Sequence, residues 1–442
     1  MLLVVPHLAC NLHCLYCFER QFRKTHNCKM DYNIDTILRR MEELKDNYPH
    51  MCLHGGEPLM MKKEDVRKIL SKMKELTGAS SIQTNGSLID DDFVEIFKEC
   101  STSVGLSYDG PGELSEYRTY KLKNKKRIDE SIKNMIDGGV KLSLIIVVSR
   151  SNAGTPERLR KLKKYLLELK KAGIAGRVNP CGQADGCELN EKQLKSVYLD
   201  LANFCLNNGL NWSPFEDVIN GLQGKRRVCV LENCDPYHTE SAAELLGDGS
   251  VTNCMRNNSK DMLLRNMSEM PYKTRDEVLL QTPQEFGGCQ GCKYFNACHG
   301  GCPTMAIDSD WRNRTYDCAL WKTLFEFYEN VLTHCGIPLN LSGVEGQCNT
   351  GVSTIMKDGQ HIDHRDHLDS ENPSKLPSNL PNTQLKDEGG GYSHIDHTDS
   401  LHNDAPTRPN NFPNGQLKDE GGGYSHIDHT DSLHNDAPIK NQ

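Results

Sequence analysis

Bunched cysteines constrain this chain more than any other feature. Three stand at Cys10, Cys14 and Cys17, and five more fall between Cys289 and Cys318. Cysteines used as small buried hydrophobes would be scattered rather than grouped. The chain has 19 of them in 442 residues. Its opening apolar run is too short for an export signal, and no stretch approaches the ~20 apolar residues of a spanning helix. A soluble cytosolic protein is expected, and there disulfides are disfavoured, so metal or catalytic roles lead.

Between those bunches, apolar runs at 2–6, 51–54, 81–84, 104–107, 142–148 and 177–179 alternate with amphipathic stretches at 34–47, 63–76, 90–100, 128–138 and 156–172. Such alternation predicts a parallel sheet wound by right-handed βα crossovers. Six units are too few for a closed eight-fold barrel. The expected class is therefore α/β, a partial (β/α)6 TIM-like barrel over 1–185, whose ligands would gather at the carboxyl ends of the strands. Residues 55–58, 85–86 and 109–111 each fall just past a predicted strand.

A bridging helix is expected in 186–225, its pattern running over 188–210. Residues 226–342 form a loop-rich unit that needs metal staples. It closes on a helix whose Leu320, Leu324, Phe325, Tyr328 and Leu332 share a face.

Residues 343–442 differ in kind. They carry 7 basic and 16 acidic residues, a net of −9; against −8 for the whole chain, 1–342 carry about +1. Neither part has the basic stripe of a nucleic-acid binder. The tail is poor in aromatics, cannot offset its ordering entropy, and is expected to be disordered. Residues 384–406 and 416–438 are identical, at a period of 32. Solenoid repeats share that period but need apolar faces, which are missing here. These are copies of a linear message.

The run Cys10-Asn-Leu-His-Cys14-Leu-Tyr-Cys17 is CxxxCxxC directly after a predicted strand. Three thiolates can hold three irons of a cubane cluster and leave the fourth open to a small chelating molecule. Zinc is the alternative, but it usually takes two CxxC pairs or added histidines. Through residues 1–180 the sequence resembles the radical S-adenosylmethionine (SAM) enzymes. Members reduce SAM at the open iron and release a 5′-deoxyadenosyl radical that takes hydrogen from substrate. The resemblance implies that Gly55, Gly56, Glu57 and Pro58 hold the methionine amino group. It puts Thr84 and Asn85 near the ribose and methionine, and Ser107 and Arg118 at the SAM carboxylate.

Cys289-x2-Cys292-x5-Cys298-x3-Cys302, followed by Cys318, resembles the SPASM extension of peptide-modifying radical SAM enzymes, over about 226–320. That likeness assigns Cys229, Cys234, Cys254 and Cys302 to one auxiliary 4Fe–4S cluster and Cys289, Cys292, Cys298 and Cys318 to another. With the first triplet this makes three clusters and 11 of 19 cysteines. A zinc ribbon is the competing reading. Fully ligated clusters suit electron transfer, and a low-potential donor of flavodoxin or ferredoxin type would feed the first. Of the remaining cysteines, Cys187 and Cys335 are worth following. Sulfatase maturases carry an Asp after the cysteine corresponding to Cys254; here Met255 and Arg256 follow. Sulfatase maturation is accordingly disfavoured and the base is unassigned, with Asp109 and Asp235 the available guesses.

Nine of the 17 histidines lie beyond residue 360, each in a His-x-Asp triplet. Two flexible copies beside a peptide-modifying enzyme suggest a precursor peptide fused to its maturase, where tethering supplies effective concentration. Residues 385–388 and 417–420 would serve as recognition pieces. No cysteine follows Cys348, which removes thioether products from the repeats. Relatives in this resemblance join an aromatic ring to the Cβ of a residue two positions on. The expected targets are His394 with Asp396, His397 with Asp399 and His402 with Asp404, and in the second copy His426 with Asp428, His429 with Asp431 and His434 with Asp436. Tyr392 and Tyr424 are alternative targets. A metal-buffering tail and an inert solvated tail are the competing readings.

Overall fold

The computed structural model describes residues 1–25, 28–119, 122–184, 186–225, 229–236, 242–254, 256 and 274–341. The chain divides into units 1–371 and 372–442. Every residue of the second lies outside the described residues, and so does every His-x-Asp triplet, including the three at His361, His364 and His367 that fall in the first.

Nine strands make one sheet: β1 (Leu2–Val5), β2 (Met51–Leu53), β3 (Ser80–Thr84), β4 (Thr102–Ser107), β5 (Leu142–Val148), β6 (Gly176–Pro180), β7 (Trp212–Ser213), β8 (Ala243–Leu246) and β9 (Val251–Asn253). Their spatial order is β7-β6-β5-β4-β3-β2-β1-β8-β9. From β1 to β7 every strand lies parallel beside its sequence neighbour. That single direction of winding belongs to a barrel-type sheet rather than a doubly wound one. Among the described residues, β7 and β9 each have one partner strand, so the barrel is open as expected.

Register follows the apolar pattern. Val104 faces Leu142 and Leu106 faces Leu144, and Val104, Leu106 and Leu144 alternate with less buried neighbours. Val104 and Leu106 are buried while Ser103, Gly105 and Ser107 are half-open. A one-residue slip would expose the first set. Helices cover the strands and start where side-chain caps allow. Asn33 accepts from Thr36 N ahead of Ile34–Leu44, and Asp90 accepts from Phe93 N ahead of Asp91–Glu99. Each cap satisfies an otherwise orphaned N–H and is worth about 1 kcal/mol. Val66, Ile69, Leu70 and Met73 bury one stripe of the helix Lys63–Thr77, at helical spacing.

The expected bridging helix is Glu191–Asn207, opened by a capping box of Asn190 and Gln193. It packs on the closing helix Cys318–His334, which buries Leu320, Leu324, Phe325, Tyr328 and Leu332 as predicted, together with Trp321. Two differences stand out. The helix expected at 128–138 already begins at Leu122. More consequentially, β8 and β9 arise from the stretch read as loop-rich, and β8 pairs in parallel with β1 (Leu3 opposite Glu244). An edge with unpaired N–H and C=O groups invites such an addition. No described helix is long and apolar enough to cross a membrane.

Candidate active site

The triplet Cys10, Cys14 and Cys17 lies on the loop leaving the carboxyl end of β1, and 55–58 follows β2. Backbone contacts tie the two together. Gly56 N donates to His7 O at 3.1 Å and Glu57 N to Ala9 O at 2.9 Å. A Cβ on Gly56 would come within 2.2 Å of Ala9 O, and Gly55 has φ +140°. Only glycine fits a backbone approach this close.

Glu57 is fully buried. Its carboxylate accepts from Thr84 Oγ1 at 2.7 Å, Asn85 N at 2.7 Å and Leu59 N at 3.0 Å. Burial pushes its pKa up to about 7 against the pull of these three donors. Asn85 Nδ2 reaches Asn11 Oδ1 at 3.0 Å and Cys10 Sγ at 3.9 Å. Thus 55–58, Thr84, Asn85 and the cysteine loop meet at the ends of three adjacent strands. Ser107 ends β4, next to β3, and accepts from Gln83 Nε2 at 2.8 Å.

Arg118 has a different setting from that of an open anion binder. Its Nη2 pairs with Asp109 Oδ1 at 2.8 Å, both side chains being nearly inaccessible. Asp109 also accepts from Tyr16 Oη and from Val147 N, and the guanidinium covers the Tyr16 ring. Asp235, the other suggested base, is buried and accepts from Arg275 N at 2.8 Å. Both carboxylates are engaged by the fold.

Burial raises the pKa of Cys10 and takes Cys14 up to about 12. Left to the protein alone these are thiols, and cationic metal is what would hold them as thiolates. Arg23 Nη2 donates to Cys17 Sγ at 3.0 Å while Nη1 pairs with the buried Glu19 at 2.7 Å. The sequence reading missed Tyr16, Glu19 and Arg23. Tyr16 lies inside the cysteine motif itself; Glu19 and Arg23 are an i,i+4 pair that reads as a surface helix pair until it is seen buried.

Cys289, Cys292, Cys298 and Cys318 line one small pocket, walled by Phe295 and Phe325. Burial, and then each of the other three sulfurs, raises the pKa of Cys298. For the second set, Cys229 lies within electrostatic reach of Cys302. Cys254 directly follows β9. Among the described residues no three His, Cys, Asp or Glu side chains converge as one metal ion would require. Thiolates spread over separate irons of a cluster need no such convergence, and a zinc tetrahedron does. The four sulfurs that share one pocket are a donor set of the type that ligates an iron–sulfur cluster. Cys181 and Cys187 are buried and Cys335 is exposed.

Residues 4–162 match the radical SAM superfamily. The serine-type anaerobic sulfatase-maturating enzyme of Klebsiella pneumoniae is 30% identical over 350 residues, 73% of this chain and 85% of that one. The cysteine-type anaerobic sulfatase-maturating enzyme of Clostridium perfringens (strain 13 / Type A) is 25% identical over 366 residues, 74% of this chain and 95% of its own length. A solved structure described as native anSMEcpe with bound AdoMet and Cp18Cys peptide superposes with a TM-score of 0.57 at 23% identity, covering 76% of this chain and 98% of that one.

Proposed function

This chain belongs to the radical SAM superfamily, in the family that includes the anaerobic sulfatase-maturating enzymes, and we propose that it modifies a peptide, namely its own repeat tail, by cross-linking within His-x-Asp triplets. The observation that carries the enzymatic part is the meeting of the CxxxCxxC loop, Gly55-Gly56-Glu57 and Asn85 at adjacent strand ends. Cys10, Cys14 and Cys17 would ligate a 4Fe–4S cluster with an open iron, and the two SPASM-type sets of four would ligate two more. Bound there, the first cluster with SAM would supply a hydrogen-abstracting radical, and the auxiliary clusters an acceptor for one surplus electron.

The residues of the chain do the rest. Glu57, held by three donors, presents carboxylate charge to the methionine ammonium, and the glycines let the backbone approach it. Ser107, at the end of β4, and Arg118 are the groups for the SAM carboxylate. Arg118 also braces the cysteine loop through Asp109 and Tyr16. In each tail triplet the Asp Cβ loses a hydrogen atom, a bond forms to the imidazole, and the ring gives up a proton and an electron. Two hydrogens leave per cross-link.

The tail is an addition to the shared enzyme. About three-quarters of this chain accounts for 95% of the Clostridium relative. The same comparison favours a second reading, action on a separate peptide or protein, sulfatase-type maturation included, with the tail a metal-binding or inert appendage. Anaerobic reconstitution with SAM and reductant, followed by tandem mass mapping of 343–442, separates the two. A loss of two hydrogens per triplet, localised to His-x-Asp, supports self-modification. An unchanged tail mass with no deuterium uptake from solvent contradicts it.

A further inference from the structure

Arg275 opens the helix Arg275–Gln281 and is fully buried. Its guanidinium spends its donors on backbone carbonyls. Nε reaches Trp311 O at 2.7 Å, Nη1 reaches Gly301 O at 2.8 Å and His299 O at 3.1 Å, and Nη2 reaches Asn313 O at 2.8 Å and Gly300 O at 3.4 Å. All are neutral acceptors. The neighbouring Asp276 turns instead to His299 Nδ1 at 2.8 Å, and among the described residues no carboxylate forms an ion pair with the guanidinium. A buried cation without a counter-anion is costly, and hydrogen bonds to carbonyls do not cancel its charge.

The segments it grips carry the proposed cluster ligands. Asp235, which accepts from the Arg275 backbone N–H, follows Cys234; His299 follows Cys298; Gly301 precedes Cys302. Burial pulls the Arg275 pKa down, and the sulfurs of Cys234 and Cys302, then Asp276 and Cys289, push it back. Those cysteines come from both proposed auxiliary sets. A cluster bound by four thiolates is a net anion and becomes more negative on reduction, so a fixed cation beside it favours the reduced form.

We propose that Arg275 is the shared counter-cation of the two auxiliary clusters, a positioning residue that pins both ligand loops and raises both reduction potentials, making the pair a better acceptor for the surplus substrate electron. This inference rests on the three-cluster reading given above. It explains why, among the described residues, an arginine whose guanidinium meets only carbonyls is buried between the cysteine-bearing segments.

The test uses the full chain carrying Cys10→Ala, Cys14→Ala and Cys17→Ala, reconstituted anaerobically, so that only auxiliary clusters remain. Retention of about eight irons per chain establishes those clusters before Arg275 is touched; far fewer sinks the cluster reading itself. Arg275→Met and Arg275→Lys are then compared in that background by redox titration followed by electron paramagnetic resonance. At full iron content, Arg275→Met is expected to lower both potentials by about 59 mV, a tenfold change in the oxidised-to-reduced ratio, while Arg275→Lys stays near the parent. Should Arg275→Met shed iron that Arg275→Lys keeps, the charge is required for assembly, which also supports the proposal. Unmoved potentials in an iron-replete Arg275→Met protein overturn it. So does equal loss of iron in both variants, which would leave Arg275 as a hydrogen-bonding staple alone.

Discussion

Arg23 donates through Nη2 to Cys17 Sγ at 3.0 Å, so the last sulfur of the CxxxCxxC loop is held by a guanidinium whose other arm is anchored on Glu19. Hydrogen bonds to charged groups are the strong ones, and this one points at a sulfur that must be a thiolate to bind iron. Glu19 is 4% exposed, and burial pushes its pKa up to about 7 despite Arg23.

Arg23→Ala therefore removes a thiolate partner and strands a buried carboxyl. We expect a loss of about 3 kcal/mol of stability and weaker iron retention at the first site. Iron and acid-labile sulfide after reconstitution, set beside Arg23→Lys, check this. Arg23→Lys keeps the charge and should recover part of the iron.

Glu57 gives a pH dependence with a definite sign. Its folded pKa is near 7, above the ordinary carboxylate value of about 4.3, so the folded state binds more protons between those limits. Stability from this group is complete below the lower value and drains away as pH rises through 7. The thermal stability advantage of the SAM-free wild-type protein over Glu57→Gln should be greatest near pH 5 and shrink by pH 8. A constant gap would contradict the assignment.

Asp109→Asn should be among the most damaging isosteric changes. It leaves the Arg118 guanidinium buried without a counter-charge, at a cost of about 3–5 kcal/mol. Tyr16→Phe removes only one of the donors to Asp109 and should cost about 1 kcal/mol. Urea denaturation of the two variants gives the comparison, and equal losses would show that the ion pair is not what holds this corner.

Cys298→Ala tests the pocket shared by Cys289, Cys292, Cys298 and Cys318. It should lose about four irons and still cleave SAM, because the first site lies on a separate loop. Iron content and 5′-deoxyadenosine are measured on one preparation. Loss of SAM cleavage at intact iron would tie the pocket to the first site after all.

How far the sequence carried the fold depended on distance along the chain. Strands β1 to β6 were readable because each apolar run is followed by its own helix, and neighbours in sequence became neighbours in space. The glycine turn at 55–56 was readable because its requirement is local. By contrast β8 is a four-residue strand with Glu244 buried inside it, and it becomes a strand by meeting β1, more than two hundred residues away. No local pattern marks such a partner. The same holds for the ion pair of Arg118, a residue that the motif marks for SAM without marking Asp109 as its partner. Its pairing with Asp109 is nine residues away in sequence but is made inside the sheet, where only the closing of β4 and β5 brings it about. Arg275 was silent because its partners are carbonyls, which every residue has.

The central claim is that Cys10, Cys14 and Cys17 hold a cluster that opens SAM. Its most direct measurement is 5′-deoxyadenosine formed by the anaerobically reconstituted, reduced protein, compared with the Cys10→Ala/Cys14→Ala/Cys17→Ala variant. The account predicts 5′-deoxyadenosine from the first and none from the second. Equal amounts from both, or none from a wild-type protein carrying about a dozen irons, would contradict it.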